Sequence, residues 1–159
     1  MSRWHNIYED GCAFFCTYAA IDRSAGLDGS AADILYDEWD NARRAVNVRV
    51  LAYCTMPDHV HIVLWSECGE NVRKFLHRTI SLTSRRLQPG GGFWKERPRV
   101  VPVYTRRVLE IKVNYVHANP VRGELVSDAE LWPHSSFRQL VLGEPPARFV
   151  CDAWEMIPP

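Results

Sequence analysis

Residues 48–65 read VRVLAYCTMPDHVHIVLW. Two apolar, β-branched runs, Val48–Thr55 and His59–Trp65, stand either side of Met-Pro-Asp, whose Pro57 and Asp58 suit a tight turn. Such a pair closes as an antiparallel hairpin, and everything else in the chain has to be arranged around it. Cys12–Ile21, CAFFCTYAAI, is a further aromatic, strand-like run before it, and Arg99–Val103, RVVPV, a short one after it. Pro102 cannot donate to a ladder, so the last run is expected on a sheet edge.

Helical spacing fills the gaps. Ile34, Leu35, Trp39, Ala42 and Val46 predict a helix over about 31–45, with Ser30 and Asp33 resembling a capping box. Val72, Phe75, Leu76, Thr79, Ile80 and Leu87 predict a second over 72–87, with Asn71 as its cap and QPGGG as its end. Val108, Ile111, Tyr115 and Ala118 give a third helix an apolar side, and Pro120 is expected to stop it. The order β-α-β-β-α-β plus one helix predicts an α+β, ferredoxin-like antiparallel sheet with helices on one face and an added C-terminal helix. One domain is expected over 1–159, with a core of about 11–126 and an extension over 127–159 that holds one helical turn near Asp128–Leu131.

The chain is neutral overall, with 19 basic and 19 acidic residues, but its charge is segregated. Residues 1–70 carry a net −6 and residues 113–159 a net −3, whereas residues 71–112 carry eleven Lys and Arg against two Asp and Glu, a net +9. The eleven are Arg73, Lys74, Arg78, Arg85, Arg86, Lys95, Arg97, Arg99, Arg106, Arg107 and Lys112. With Phe93 and Trp94 among them, this is the pattern that single-stranded or hairpin DNA asks of a protein, although any one Arg equally suits a solvated helix face. No apolar run approaches the length of a membrane span and the N-terminus lacks the apolar block of a signal peptide, so a cytoplasmic protein is expected. Five cysteines without a Cys-x-x-Cys pair argue for reduced thiols rather than a disulfide framework or zinc ribbon.

The hairpin's second strand contains His59-x-His61. Alternate strand residues share a face, so two imidazoles point one way while Val60, Ile62 and Leu64 point the other. The pair supplies two-thirds of a facial metal site, but it also suits surface or hydrogen-bonded core histidines. Position 63 is Val, no second His-x-Thr or His-x-Ser occurs, and the helices contradict an all-β cupin. A nuclease-type site remains, which needs a nucleophile and a third ligand. KVNYVHANPVRGELV, Lys112–Val126, offers both: Tyr115 and Asn119 lie four apart on one helix face. A tyrosine hydroxyl can attack phosphorus beside a divalent ion, and two imidazoles with an amide oxygen suit Mg²⁺ or Mn²⁺. Tyr115 also suits the core of an amphipathic helix, and Asn119 a C-cap before Pro120.

MPDHVHIVLW, GGFWKERP, YVHANPVRGELV and LWPHSSFR, in this order and at these separations, resemble the REP-associated tyrosine transposases, within the wider single-tyrosine HUH transposases. The resemblance spans about residues 48–138. It implies His59 and His61 as the HUH pair, Tyr115 as nucleophile and Asn119 as third metal ligand. It implies a metal-dependent endonuclease and strand-transferase that cuts single-stranded DNA next to a hairpin through a 5′-phosphotyrosine, as monomer or homodimer. Two departures stand out: RPRVVPVYTRRV lacks the carboxylate that members carry before the tyrosine helix, and WPHSSF replaces WPWSSY. The first motivates the alternative of a domesticated protein that binds DNA hairpins without cutting them. A small metal-dependent phosphohydrolase acting on nucleotides is a third, more distant option.

Overall fold

A computed structural model describes residues 5–95, 97–146 and 148–154. Its elements are β1 (Cys12–Ala19), α1 (Ser30–Val46), β2 (Arg49–Thr55), β3 (His59–Ser66), α2 (Gly69–Leu87), β4 (Arg99–Val103), α3 (Arg106–Arg122), a 3₁₀ turn (Ala129–Leu131) and α4 (Phe137–Val141). The four strands form one antiparallel sheet in the order β2-β3-β1-β4. This is the expected ferredoxin-like arrangement, with Pro102 on an edge strand.

Both faces of the sheet are covered. On one, Phe14, Cys16 and Tyr18 of β1 and Val60, Ile62 and Leu64 of β3 pack under α1 and α2 through Leu35, Trp39, Phe75 and Leu76. On the other, Ala13, Val63 and Trp65 pack under α3 through Leu109, Val113 and Val116. His59 and His61 share the α3 face by the strand alternation.

Three expectations need correction. Ser30 is the first helical residue of α1, not its cap; Gly29 holds that position without a side-chain bond. Asn71 lies inside α2, which starts at Gly69; the Gly69 N–H donates to Asp10 Oδ1 at 2.8 Å, so a carboxylate distant in sequence satisfies this helix end. A Cβ on Gly69 would stand 2.5 Å from the Glu9 carbonyl, and only glycine allows that approach. Finally, Pro120 does not stop α3, which runs to Arg122 with Gly123 as its C-cap. Pro120 removes only its own N–H from the ladder, and the turn still closes through Gly123 N–H to the Asn119 carbonyl and Leu125 N–H to the Pro120 carbonyl.

The extension after α3 covers the β2 edge. Thr55 N–H donates to the His134 carbonyl, Ser136 N–H to the Tyr53 carbonyl, and Trp132 Nε1 to the Thr55 carbonyl. Asp152 N–H donates to the Val50 carbonyl in the same row. Paired groups along an edge remove a template for aggregation, and LWPHSSF supplies most of them. At the other edge the Asn6 side chain does similar work, donating to the Pro98 carbonyl and accepting from Val100 N–H.

Candidate active site

Three rings meet on the α3 face of the sheet. His59 and His61 stand edge to face with centroids 4.9 Å apart, and the Tyr115 ring lies edge to face against His61 at 5.7 Å. Phe15 completes a triangle, stacked on His61 at 5.7 Å and edge-on to Tyr115 at 5.8 Å. The register explains the meeting: Thr17 of β1 pairs with His61, so Phe15 and Thr17 flank the His61 ring from the neighbouring strand.

Each histidine is oriented by its Nδ1. Asp58 Oδ1 lies 2.6 Å from His59 Nδ1, and a carboxylate can only accept there. Thr17 Oγ1 lies 3.0 Å from His61 Nδ1. The Asp58 carboxylate calls for the proton of His59 on Nδ1, whereas the Thr17 hydroxyl, which can donate or accept, fixes the orientation of the His61 ring. Burial, and then the nearness of His59, push the His61 imidazole down to about 4, so it is neutral at physiological pH. Neither Asp58 nor Thr17 was singled out as a site residue from sequence. Asp58 had a signal, adjacency to the pair in MPDH; Thr17 and Phe15 had none.

Tyr115 is 37% exposed, which excludes a purely core role. The Arg122 guanidinium lies 5.1 Å over its ring, and Lys112 Nζ lies 5.1 Å over Phe15. Asn119 is buried one turn further along α3, and its Nδ2 donates to the Tyr115 carbonyl at 2.8 Å. That bond fixes the amide and leaves Oδ1 as the atom available to a cation. Gly123, four residues on, sits against Met56 at the turn that delivers His59, so the end of α3 is docked at the start of β3. Among the described residues no three His, Cys, Asp or Glu side chains cluster as a metal site.

The basic residues divide between two surfaces. Arg73, Arg85, Lys95, Arg97 and Arg99 line an open groove of about 1720 Å³ beside α2 and the β4 edge. Arg106, Arg107 and Lys112 lie on α3, across the sheet. Arg99 pairs in register with Thr17, so it stands on the β4 edge between groove and rings. Lys74 and Arg78 are exposed on α2 outside the groove lining. Arg86 bonds Glu38 at 2.8 Å and approaches Asp37 at 3.8 Å, tying α2 to α1. Arg73 is bonded to Glu70. His117 is buried, with Nε2 2.8 Å from Ser136 Oγ. Trp94 lines the groove but is largely buried, and its Nε1 donates to Thr83 Oγ1.

No helix among the described residues is long and apolar enough to cross a membrane. Residues 12–119 match the family model described as "Transposase IS200 like". Among solved structures, the chain is similar to a REP-associated tyrosine transposase bound to a REP hairpin. The identity is 21% over 96% of this chain and 93% of that one, with a TM-score of 0.74. It is also similar to a candidate transposase from Deinococcus radiodurans R1, at 21% identity over 73% of this chain and 95% of that one, with a TM-score of 0.50. No curated protein matches the chain.

Proposed function

The chain belongs to the IS200-like transposase family, and on that premise we propose that it cuts and rejoins single-stranded DNA next to a hairpin, with Tyr115 as the covalent nucleophile. The observation that carries this reading is the packing of the half-exposed Tyr115 ring against His61, beside a second imidazole whose Nδ1 is held by a carboxylate. His59 Nε2, His61 Nε2 and Asn119 Oδ1 are the atoms that would hold a divalent ion, Mg²⁺ or Mn²⁺, whose contribution there is to neutralise charge on the scissile phosphate.

Tyr115 Oη attacks phosphorus. The new bond joins the tyrosine to the 5′-phosphate, the bond to the 3′-oxygen breaks, and the hydroxyl proton ends on the released 3′-OH. The phosphotyrosine conserves the bond, so attack by a 3′-OH rejoins strands without a nucleotide cofactor. Asp58 and Thr17 hold the two imidazole rings in place through their Nδ1 atoms. The groove cations Arg73, Arg85, Lys95, Arg97 and Arg99 suit a hairpin's phosphates, and Arg99 on the β4 edge leads from that groove toward the rings.

The test is a labelled hairpin oligonucleotide carrying a single-stranded flank, incubated with Mg²⁺ or Mn²⁺ and resolved under denaturing conditions. A covalent protein–DNA adduct that disappears in Tyr115→Phe supports the reading. Tight, salt-sensitive hairpin binding with no adduct under any divalent ion would instead identify a non-cleaving hairpin-binding protein.

A further inference from the structure

Helix α3 carries two apolar sides and the sheet uses one. Leu109, Val113 and Val116 are buried, while Val108, Ile111 and Tyr115 form a second stripe that is 39%, 56% and 37% exposed. Tyr104, four residues before Val108 at the entry to the helix, is 62% exposed. Scattered exposed apolar residues need no explanation, but this stripe is continuous and ends at the candidate nucleophile.

We propose that the outer face of α3 is a stacking platform for the unpaired bases of the DNA strand that reaches Tyr115. The inference rests on the reading of Tyr115 as a nucleophile toward single-stranded DNA. Its support is the chemistry along the stripe. By helical position Arg107 and Lys112 stand on its two flanks, and Arg122 covers the Tyr115 ring. The one acid of the helix, Glu110, is 3.5 Å from Arg106. Apolar and aromatic faces bordered by cations match a strand whose bases and phosphates alternate. A duplex hides its base faces, so the stripe selects unpaired nucleotides, whereas the groove offers cations to phosphates of any strand. From Val108 to Tyr115 the platform runs about 10 Å at ~1.5 Å per residue, room for two or three nucleotides. The Tyr104 hydroxyl donates to Glu9 Oε1 at 3.0 Å, which anchors the rim of that ring and leaves its faces free to stack. A second copy of this chain is a poorer occupant, because a two-fold contact across the stripe would gather the Arg107 and Lys112 cations of both copies at one seam.

The test compares a hairpin bearing a single-stranded flank of about six nucleotides with the same hairpin cut blunt, by anisotropy titration, with 2-aminopurine in the flank to report stacking. Tyr104→Ala combined with Ile111→Ser, both exposed positions, is expected to weaken binding of the flanked hairpin at least about tenfold, the loss of one stacked base. It should also abolish the 2-aminopurine quench and leave the blunt hairpin's affinity unchanged. Tyr104→Phe, which keeps the ring, should bind like the parent. Equal losses on both substrates, or no loss on either, overturn the platform. So does a parent dimer that the double variant turns into a monomer in sedimentation, which would mark a self-association surface. If the variant binds and quenches like the parent while Tyr115 still forms its adduct, only this inference fails; a parent that binds neither hairpin overturns the functional reading with it.

Discussion

The ring of His61 lies 5.7 Å from the ring of Tyr115, although 54 positions separate them in the chain. One side chain comes from the middle of a strand and the other from a helix laid across the opposite face from α1 and α2. A contact built on two such elements holds its geometry because both are packed, not because a loop happens to bring them together.

The carboxylate behind His59 should matter to metal binding without being a ligand. Asp58→Asn is expected to weaken Mn²⁺ binding about 10–100-fold, because an amide no longer polarises the Nδ1–H and can present the wrong atom to it. Calorimetric titration of the free protein with Mn²⁺ checks this. An unchanged affinity would remove Asp58 from the account.

The groove cations and Arg86 should separate in two assays. Arg85→Ala or Arg97→Ala is expected to weaken hairpin binding uniformly across sequences and to reduce the slope of log affinity against log salt by about one. Arg86→Ala should instead act on stability, since it strands Glu38, which is only 7% exposed, at a cost of about 1–3 kcal/mol. Salt titrations and urea denaturation of the same variants measure both.

His117 should make the fold acid-sensitive. Burial pushes its imidazole down to about 4 from an unfolded value near 6.5, so the unfolded chain binds the proton first. Its contribution is complete above pH 6.5, is lost progressively as pH falls from about 6.5 to 4, and amounts to roughly 3 kcal/mol over that window. Urea denaturation of the parent and of His117→Gln across that range should show a shallower decline in the variant. Parallel curves would mean that the buried histidine is not the titrating group.

Much of this architecture was legible in the chain because it rests on short-range pattern. The hairpin around Met56–Asp58, the alternation that separates His59 and His61 from Val60 and Ile62, and the edge position forced by Pro102 are each properties of a few neighbouring residues. What stayed hidden depends on partners distant in sequence. The Asp10 carboxylate at the start of α2, the Thr17 hydroxyl behind His61, and the burial of His117 against Ser136 arise only when the sheet is assembled. The third helix is the clearest case. Its periodicity contains two apolar stripes, and nothing in the spacing says that the sheet takes Leu109, Val113 and Val116 while Val108 and Ile111 stay in water. Pro120 misled for a related reason: a proline forbids one hydrogen bond, and a helix end docked against Met56 tolerates that loss.

The central claim concerns one oxygen atom, and mass spectrometry can find it. The covalent adduct formed on a flanked hairpin would be digested with trypsin and nuclease, and the peptide carrying the residual nucleotide identified. The account expects the modification on Val113–Arg122, whose single tyrosine is Tyr115, joined through a 5′-phosphate. A nucleotide on any other peptide, or a cleaved strand with no protein attached, would contradict it.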